Sequence, residues 1–374
     1  MNTNYGLFLI SLIIAACTSV EMPKTADTKA TKETKNLYAS LKAIQGKKIL
    51  FGHQDATVYG IGWKYDKDQS DIKKISGDYP AVYGWDLGHI ELGDSVNLDN
   101  IHFDLMRQHI ISAYRRGGIN TISWHLRNPY TNGSSWDVSS NKVVASIIPG
   151  GEKHARYLQW LDSLSLFLSS LVDDSGKAIP VLLRPFHEHT GNWFWWGAPY
   201  CSKEDYITLW KSTAEYLRNV KQVHNVLYIY SPDRVTSEEE YFDRFPGDDY
   251  VDILGLDMYH RGGESQASTF VTEVQQVMNI LEEYAQKHDK VFVFSETGAE
   301  GIPMSDWFTA VLYPSIEMHK PAYVLVWRNA HDIEGHHYAP YPGHPSVDDF
   351  LLFKSKKDIY FEKNLPNLYK TTKD

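Results

Sequence analysis

The sequence predicts an α/β protein folded as a (β/α)8 TIM barrel with a single catalytic-size domain, on three observations. Eight short apolar runs rich in β-branched and aromatic residues recur along the chain, most intervals between them carry a helical pattern, and seven of the runs end in polar or aromatic residues. Several runs are continuous rather than alternating, as parallel strands covered on both faces should be.

Taken in order, the chain begins with a stretch that reads as a lipoprotein signal peptide over 1–16. Residues 6–16 form an apolar run of h-region length, too short to span a bilayer stably. It ends in Ile14-Ala15-Ala16-Cys17, which resembles a bacterial lipobox. Cleavage before Cys17 and lipidation of that cysteine are therefore expected, which places the protein in the cell envelope with its periplasmic or surface orientation open. A buried N-terminal helix is the alternative. Residues 17–36, a Thr/Lys/Ala stretch with almost nothing to bury, are expected to form a flexible tether. One domain then spans 37–374, with no Ser/Pro linker and no obvious repeat.

The eight expected strands are 49–54, 81–87, 119–126, 179–188, 226–233, 251–259, 291–298 and 323–329. Helical patterns occupy 99–116, 152–172, 203–223, 268–287 and 304–319. A doubly wound open sheet is the rival, but it normally carries a Gly-rich phosphate loop after an early strand, and neither the dinucleotide fingerprint nor GxxxxGK[ST] occurs. A barrel also explains the polar run ends: His53/Gln54, Trp85/Asp86, Trp124/His125, His187/Glu188, Asp257/Tyr259, Ser295/Glu296 and Trp327/Arg328/Asn329 would converge on one mouth. As core filling they would be costly unless paired.

Composition narrows the function classes. With 374 residues, 43% of them hydrophobic, the chain has ample core, which excludes disorder as its dominant state. A net charge of −10 disfavours nucleic acid and anionic membrane surfaces as electrostatic partners. Aromatic residues reach 13%, and flat rings with polar tips suit sugar faces or a partner surface. The two cysteines, Cys17 and Cys201, offer no disulfide framework, and Cys201 reads as a small packed residue. With no dimerisation segment evident, a monomer is the default.

Two segments carry chemistry. Residues 179–197 read IPVLLRPFHEHTGNWFWWG, a buried strand delivering Arg184, His187 and Glu188 to its end, followed by Trp193, Trp195 and Trp196. A carboxylate among aromatic rings is partly desolvated, which raises its pKa toward the range of a general acid. In isolation the string fits equally a structural Arg184–Glu188 pair beneath an aromatic cluster. Residues 291–298, VFVFSETG, bring Glu296 to the same mouth from the seventh strand. Two carboxylates facing one cavity are what glycosidic bond cleavage requires. Tyr259 is placed to hydrogen-bond Glu296, Trp327 to form a platform under a sugar ring, and His125 and His187 to bind hydroxyls or tune the carboxylates; each alone also fits ordinary packing. The histidines of 331–344 (His331, His336, His337, His344) lack accompanying cysteines or carboxylates, and HEHTG is not HExxH, so neither a metal nor an organic cofactor is expected.

Together RPFHEHTGNWFWWG, FSETG, Trp124-His125 with Asn128-Pro129, GLDMY at 255–259 and VWRN at 326–329 resemble glycoside hydrolase family 26, mainly β-mannanases, over about 37–364. The resemblance implies a retaining mechanism with Glu188 as acid/base, Glu296 as nucleophile, and His125, His187, Trp193, Tyr259 and Trp327 contacting sugar or orienting the carboxylates. It departs at His189-Thr190, where the family usually reads Met-Asn, so local subsite contacts are expected to differ. The implied activity is double-displacement hydrolysis of β-1,4-mannan, glucomannan or galactomannan, of the mannan endo-1,4-β-mannosidase type, with carboxyl groups roughly 5–5.5 Å apart. Alternatives are the same chemistry on mixed-linkage β-glucan or β-xylan, end-acting release of disaccharide behind loops 57–79, 130–151 or 330–345, and a glycan-binding lipoprotein without catalysis. Both glutamates argue against the last.

Overall fold

The computed structural model describes residues 23–370; the expected signal peptide and the lipid site at Cys17 lie outside the described residues. Eight strands form the barrel: β1 Ile49–Gln54, β2 Val82–Asp86, β3 Ile119–Ser123, β4 Val181–Arg184, β5 Val226–Tyr230, β6 Ile253–Tyr259, β7 Val291–Gly298 and β8 Tyr323–Val326. Each pairs in parallel with the next, and β8 closes onto β1 with Leu50 opposite Tyr323 and His53 opposite Val326. A short strand, β9 (Ile359–Tyr360), adds to the first residues of β1.

Several strands end before their apolar runs do, and the difference has a local cause. In β4 the ladder stops at Arg184 because Pro185 has no N–H to donate, and Phe186 and Glu188 then adopt φ of 48° and 52°. The residues at the end of each run leave the sheet and enter the mouth. The helices include α1 Lys32–Ile44, α2 Phe103–Arg115, α3 His154–Ser169, α4 Lys203–Glu215, α5 Ala267–His288 and α6 Val347–Lys354. Two expected helices are irregular: α4 runs into a π-helical turn at Tyr216–Val220, and 304–319 contains a π turn at Phe308–Leu312 before Tyr313–Ile316. Pro314 cannot donate the backbone bond a continuous α-helix needs there.

The strand faces divide the core in two. Leu50, Val82, Leu182, Leu227, Ile253 and Val293 form one cluster with Leu37, Tyr38 and Leu41 of α1, which fills the barrel and seals its base. Residues of the opposite faces, among them Phe51, Ile122 and Leu183, pack against Met106, Leu164, Trp210 and Met278 of the surrounding helices. Burying each large apolar side chain contributes about 1.5–3 kcal/mol.

The expected tether requires correction, because residues 24–36 are folded onto the base. Ala26 N–H donates to Asp252 (2.7 Å), His224 Nδ1 meets Asp27 (2.7 Å), Lys24 pairs with Asp249 (2.8 Å), and the Thr31 side chain caps α1 by accepting from Thr34 N–H (3.2 Å). Composition hides this because a helix docks on one apolar stripe, here Leu37, Tyr38, Leu41 and Ile44, while its first turn stays polar. The domain therefore starts some dozen residues before the expected boundary at 37. Among the described residues no helix is long and apolar enough to cross a membrane.

Candidate active site

Glu188 sits on the turn that leaves β4. Its positive φ is held from two sides: its own N–H donates to the Ser231 carbonyl just past β5 (2.8 Å), and the Tyr206 hydroxyl donates to the Phe186 carbonyl (2.9 Å). Trp193 Nε1 donates to Glu188 Oε2 (2.6 Å). That contact explains the glycine of HEHTG, since a Cβ at Gly191 would lie 2.4 Å from the Trp193 ring. Burial drives the Glu188 carboxyl well above its ordinary pKa, and the charges of Glu296, Asp257 and Asp233 add to the rise while Arg184 opposes it. Glu188 therefore holds a proton where an exposed glutamate would have lost it.

Glu296 lies two residues before the end of β7 and is gripped at both oxygens. Tyr259, at the end of β6, donates its hydroxyl to Oε1 (2.6 Å), and the Arg184 guanidinium donates to Oε2. Arg184 also binds Asp257, which accepts from Ser231 Oγ (2.8 Å) and Ser295 Oγ (2.6 Å). Every polar contact to Glu296 comes from a donor, the surroundings of a carboxylate anion. Arg184 thus pairs with Glu296 and Asp257, and the structural Arg184–Glu188 pair is not formed. The contact between Tyr259 and Glu296 is the one expected from strand-end placement.

His125 and His187 meet edge to face, with ring centroids 4.6 Å apart. His125 Nδ1 bonds Asp86 Oδ2 (2.6 Å), and Asp86 further accepts from Gly88 N–H (2.7 Å) and Ser123 Oγ (2.5 Å). Burial works against a charge on His125, but Asp86 outweighs it and the His125 pKa is raised. His187 goes the other way: burial, then the charges of Arg184 and His125, push it well below its usual value. The neutral ring is the one on the segment carrying the acid. Trp327, half-buried just past β8, donates its backbone N–H to the Thr297 carbonyl (3.1 Å), and its ring lies 6.2 Å from the His125 ring. The structure thus gathers Glu188, Glu296, His125, His187, Trp193, Tyr259 and Trp327 at one end of the barrel.

Other residues of the site escaped the sequence reading. Trp136, 49% exposed in the loop after β3, stacks on His125 at 5.3 Å and 17°. An isolated loop tryptophan carries no spacing signal. Asp233 shares with Glu188, Trp193, Arg234, Met258, Tyr259 and Arg261 a pocket of about 240 Å³. Trp195 and Trp196, by contrast, are fully buried and brace the loop through bonds to the carbonyls of Leu126 (3.3 Å) and His187 (2.8 Å). His189, where the motif departs from the family pattern, is buried between the Tyr206 and Tyr230 rings with Nε2 bonded to the Tyr230 hydroxyl (2.9 Å). Its difference is therefore taken up in packing behind the turn, away from both glutamates. In the loop after β8, His337 Nε2 and His344 Nε2 lie 3.3 Å apart and His336 pairs with Glu300 (2.7 Å). Among the described residues no group of three or more His, Cys, Asp or Glu could hold a metal.

A paired, asymmetric set of glutamates just past β4 and on β7 is the equipment of a glycosidase, and the family model for glycosyl hydrolase family 26 matches residues 26–310. The chain belongs to glycosyl hydrolase family 26. The match begins inside the segment folded onto the barrel base. Among solved family 26 structures, a β-mannanase from Bacteroides ovatus is 49% identical, with a TM-score of 0.89 over 91% of this chain and 98% of that one. An endo-β-1,4-mannanase from Cellulomonas fimi is 34% identical, with a TM-score of 0.84 over 93% of this chain and 79% of that one. A mannan endo-1,4-β-mannosidase from Bifidobacterium adolescentis is 34% identical over 74% of this chain, which spans 28% of that relative's length. One from Bacillus subtilis is 30% identical over 63% of this chain, which spans 62% of its length. Family 26 membership makes the protein a glycoside hydrolase on a TIM barrel.

Proposed function

We propose that the protein is a retaining β-1,4-mannan hydrolase acting on mannan, glucomannan or galactomannan. The carrying observation is the asymmetry of the two glutamates: Glu188 is buried beside Trp193, and burial drives its pKa up, while Glu296 is held by Arg184 and Tyr259. In the first step Glu296 attacks the anomeric carbon as the bond to the leaving oxygen breaks, and Glu188 gives that oxygen its proton. In the second, Glu188, now a carboxylate, takes a proton from water as the water's oxygen displaces Glu296 and releases the sugar. The mannan substrate rests on the relatives, which are named mannanases.

One observation favours end action over internal cutting. Arg328, just past β8, bonds Asp99 (3.0 Å) and the Tyr59 hydroxyl (3.3 Å), Tyr59 bonds Asp55 (2.5 Å), and Asn329 Nδ2 bonds Asp71 (2.9 Å). These contacts fasten the loops after β1, β2 and β8 into one wall on that side of the mouth. Separating products of the purified protein on unsubstituted β-1,4-mannan at the earliest times is the test. Disaccharide alone is the expected result; a spread of chain lengths would make the enzyme internal-cutting, and cleavage of mixed-linkage glucan or xylan instead would overturn the substrate.

The same reading includes a lipid anchor at Cys17 in the cell envelope. Residues 24–31 pack beside Asp249, Asp252 and His224, which precede β6 and β5 at the base. An anchor a few residues upstream would leave the mouth facing away from the bilayer. Cys17→Ala is expected to move the protein from the membrane to the soluble fraction with unchanged kcat/KM on soluble oligosaccharides. Identical fractionation of variant and wild type would sink the anchor.

A further inference from the structure

Asp233 belongs to the segment Ser231-Pro232-Asp233, which is pinned to both neighbouring strands. The Ser231 carbonyl accepts from Glu188 N–H (2.8 Å), Ser231 Oγ donates to Asp257 (2.8 Å), and the Pro232 carbonyl accepts from Asp257 N–H (3.0 Å). The next residue is thus carried to the wall of the pocket that Glu188, Trp193 and Tyr259 line. With Asp257 it is one of two further carboxylates beside the reacting pair, and the double-displacement chemistry does not call on it.

Its situation differs from that of the other acids facing Glu188. The groups that do so are Arg184 of β4, Asp233 past β5, Asp257 and Tyr259 of β6 and Glu296 of β7. Asp257 and Glu296, whose charges act on Glu188 more strongly than that of Asp233, share the Arg184 guanidinium, which opposes their effect from inside the site. Asp233 has instead Arg234 and Arg261 at the rim, both exposed, and Arg234 is engaged by Glu273 (2.5 Å). Charges at the rim are screened by solvent, whereas the half-buried Asp233 acts on Glu188 through the protein.

We propose that Asp233 is a positioning residue for the acid/base: its negative charge, fixed beside Glu188 by the Ser231-Pro232 clamp, keeps the proton on Glu188 and extends the first step to higher pH. The like charge makes ionisation of Glu188 more costly, and the same charge lies close enough to Glu296 to be felt there. The inference rests on the retaining reading above, and the experiment separates the two.

The test is the pH dependence of kcat/KM on a mannooligosaccharide for wild type, Asp233→Asn and Asp233→Glu. The step requires protonated Glu188, so activity falls as pH rises through the Glu188 pKa. Removing the neighbouring charge lowers that pKa, and the alkaline limb of Asp233→Asn is expected about one pH unit lower, with the optimum rate changed far less. Asp233→Glu restores the charge and is expected to return the limb to its wild-type position. Asp233→Ser carries the same expectation as Asn should the amide disturb folding, which a thermal melt reports. A limb that stays in place without the charge, or that Glu does not restore, overturns the proposal alone; a wild type that cleaves no β-glycan overturns the retaining reading first.

Discussion

Replacing Glu296 by alanine is expected to lower kcat on mannan about 10⁴-fold or more while leaving oligosaccharide affinity within about tenfold of wild type. In the proposed mechanism the side chain lost is the one that forms the covalent bond. Arg184 keeps Asp257 as its partner and Tyr259 loses only one bond, so the barrel remains folded. Azide, small enough to enter the vacated space, should restore cleavage of a substrate with an activated leaving group. It would attack from the face Glu296 used, giving a glycosyl azide of inverted configuration. Measuring turnover, affinity and azide product together is decisive. A variant whose turnover matches wild type would remove Glu296 from the chemistry, and a wild type that binds mannan without cutting it would bring the binding-protein alternative forward.

Glu188→Gln is expected to separate the two steps. On natural sugar leaving groups, which need a proton, kcat/KM should fall about 10²- to 10⁴-fold. On an aryl glycoside whose phenol leaves unaided, the first step should be nearly spared and the loss should appear in the second, where the glutamine cannot deprotonate water. The covalent intermediate would then accumulate, visible as a burst of phenol. The alkaline limb of kcat/KM should also vanish, because in wild type it follows deprotonation of a Glu188 whose pKa burial has raised. Equal losses on both substrates, or an alkaline limb left in place, would assign the proton to another group.

Much of this arrangement was readable in advance. Glu188 and Glu296 each follow a run of buried apolar residues, so the barrel periodicity alone delivers them to one mouth, and Tyr259 at the end of β6 lies next to β7 by strand order. The folded base was not readable, because α1 opens with a polar turn and Ala26 and Ala30 are too small to mark a core. Trp136 and Asp233 escaped for another reason: Trp136 belongs to no periodic element, Asp233 closes the fifth run without a motif around it, and each matters only through the neighbour that folding brings to it. His189 reversed its expectation, since a residue adjacent to the acid in sequence points its ring toward Tyr206 and Tyr230 behind the turn.

By itself, then, the sequence determined the strand count, the order in which strands meet and the identity of both glutamates, because these follow from local periodicity and from which residues end each run. Partner choice was decided by the tertiary structure. Arg184 and Glu296 are 112 residues apart, and whether the guanidinium turns to Glu296 and Asp257 or to Glu188, four positions away, depends on barrel closure and on the positive φ that swings Glu188 out of line with β4. The electrostatic asymmetry that suits one glutamate to the proposed acid role and the other to that of nucleophile arises from burial and through-space donors, which exist only once the eight strands have closed.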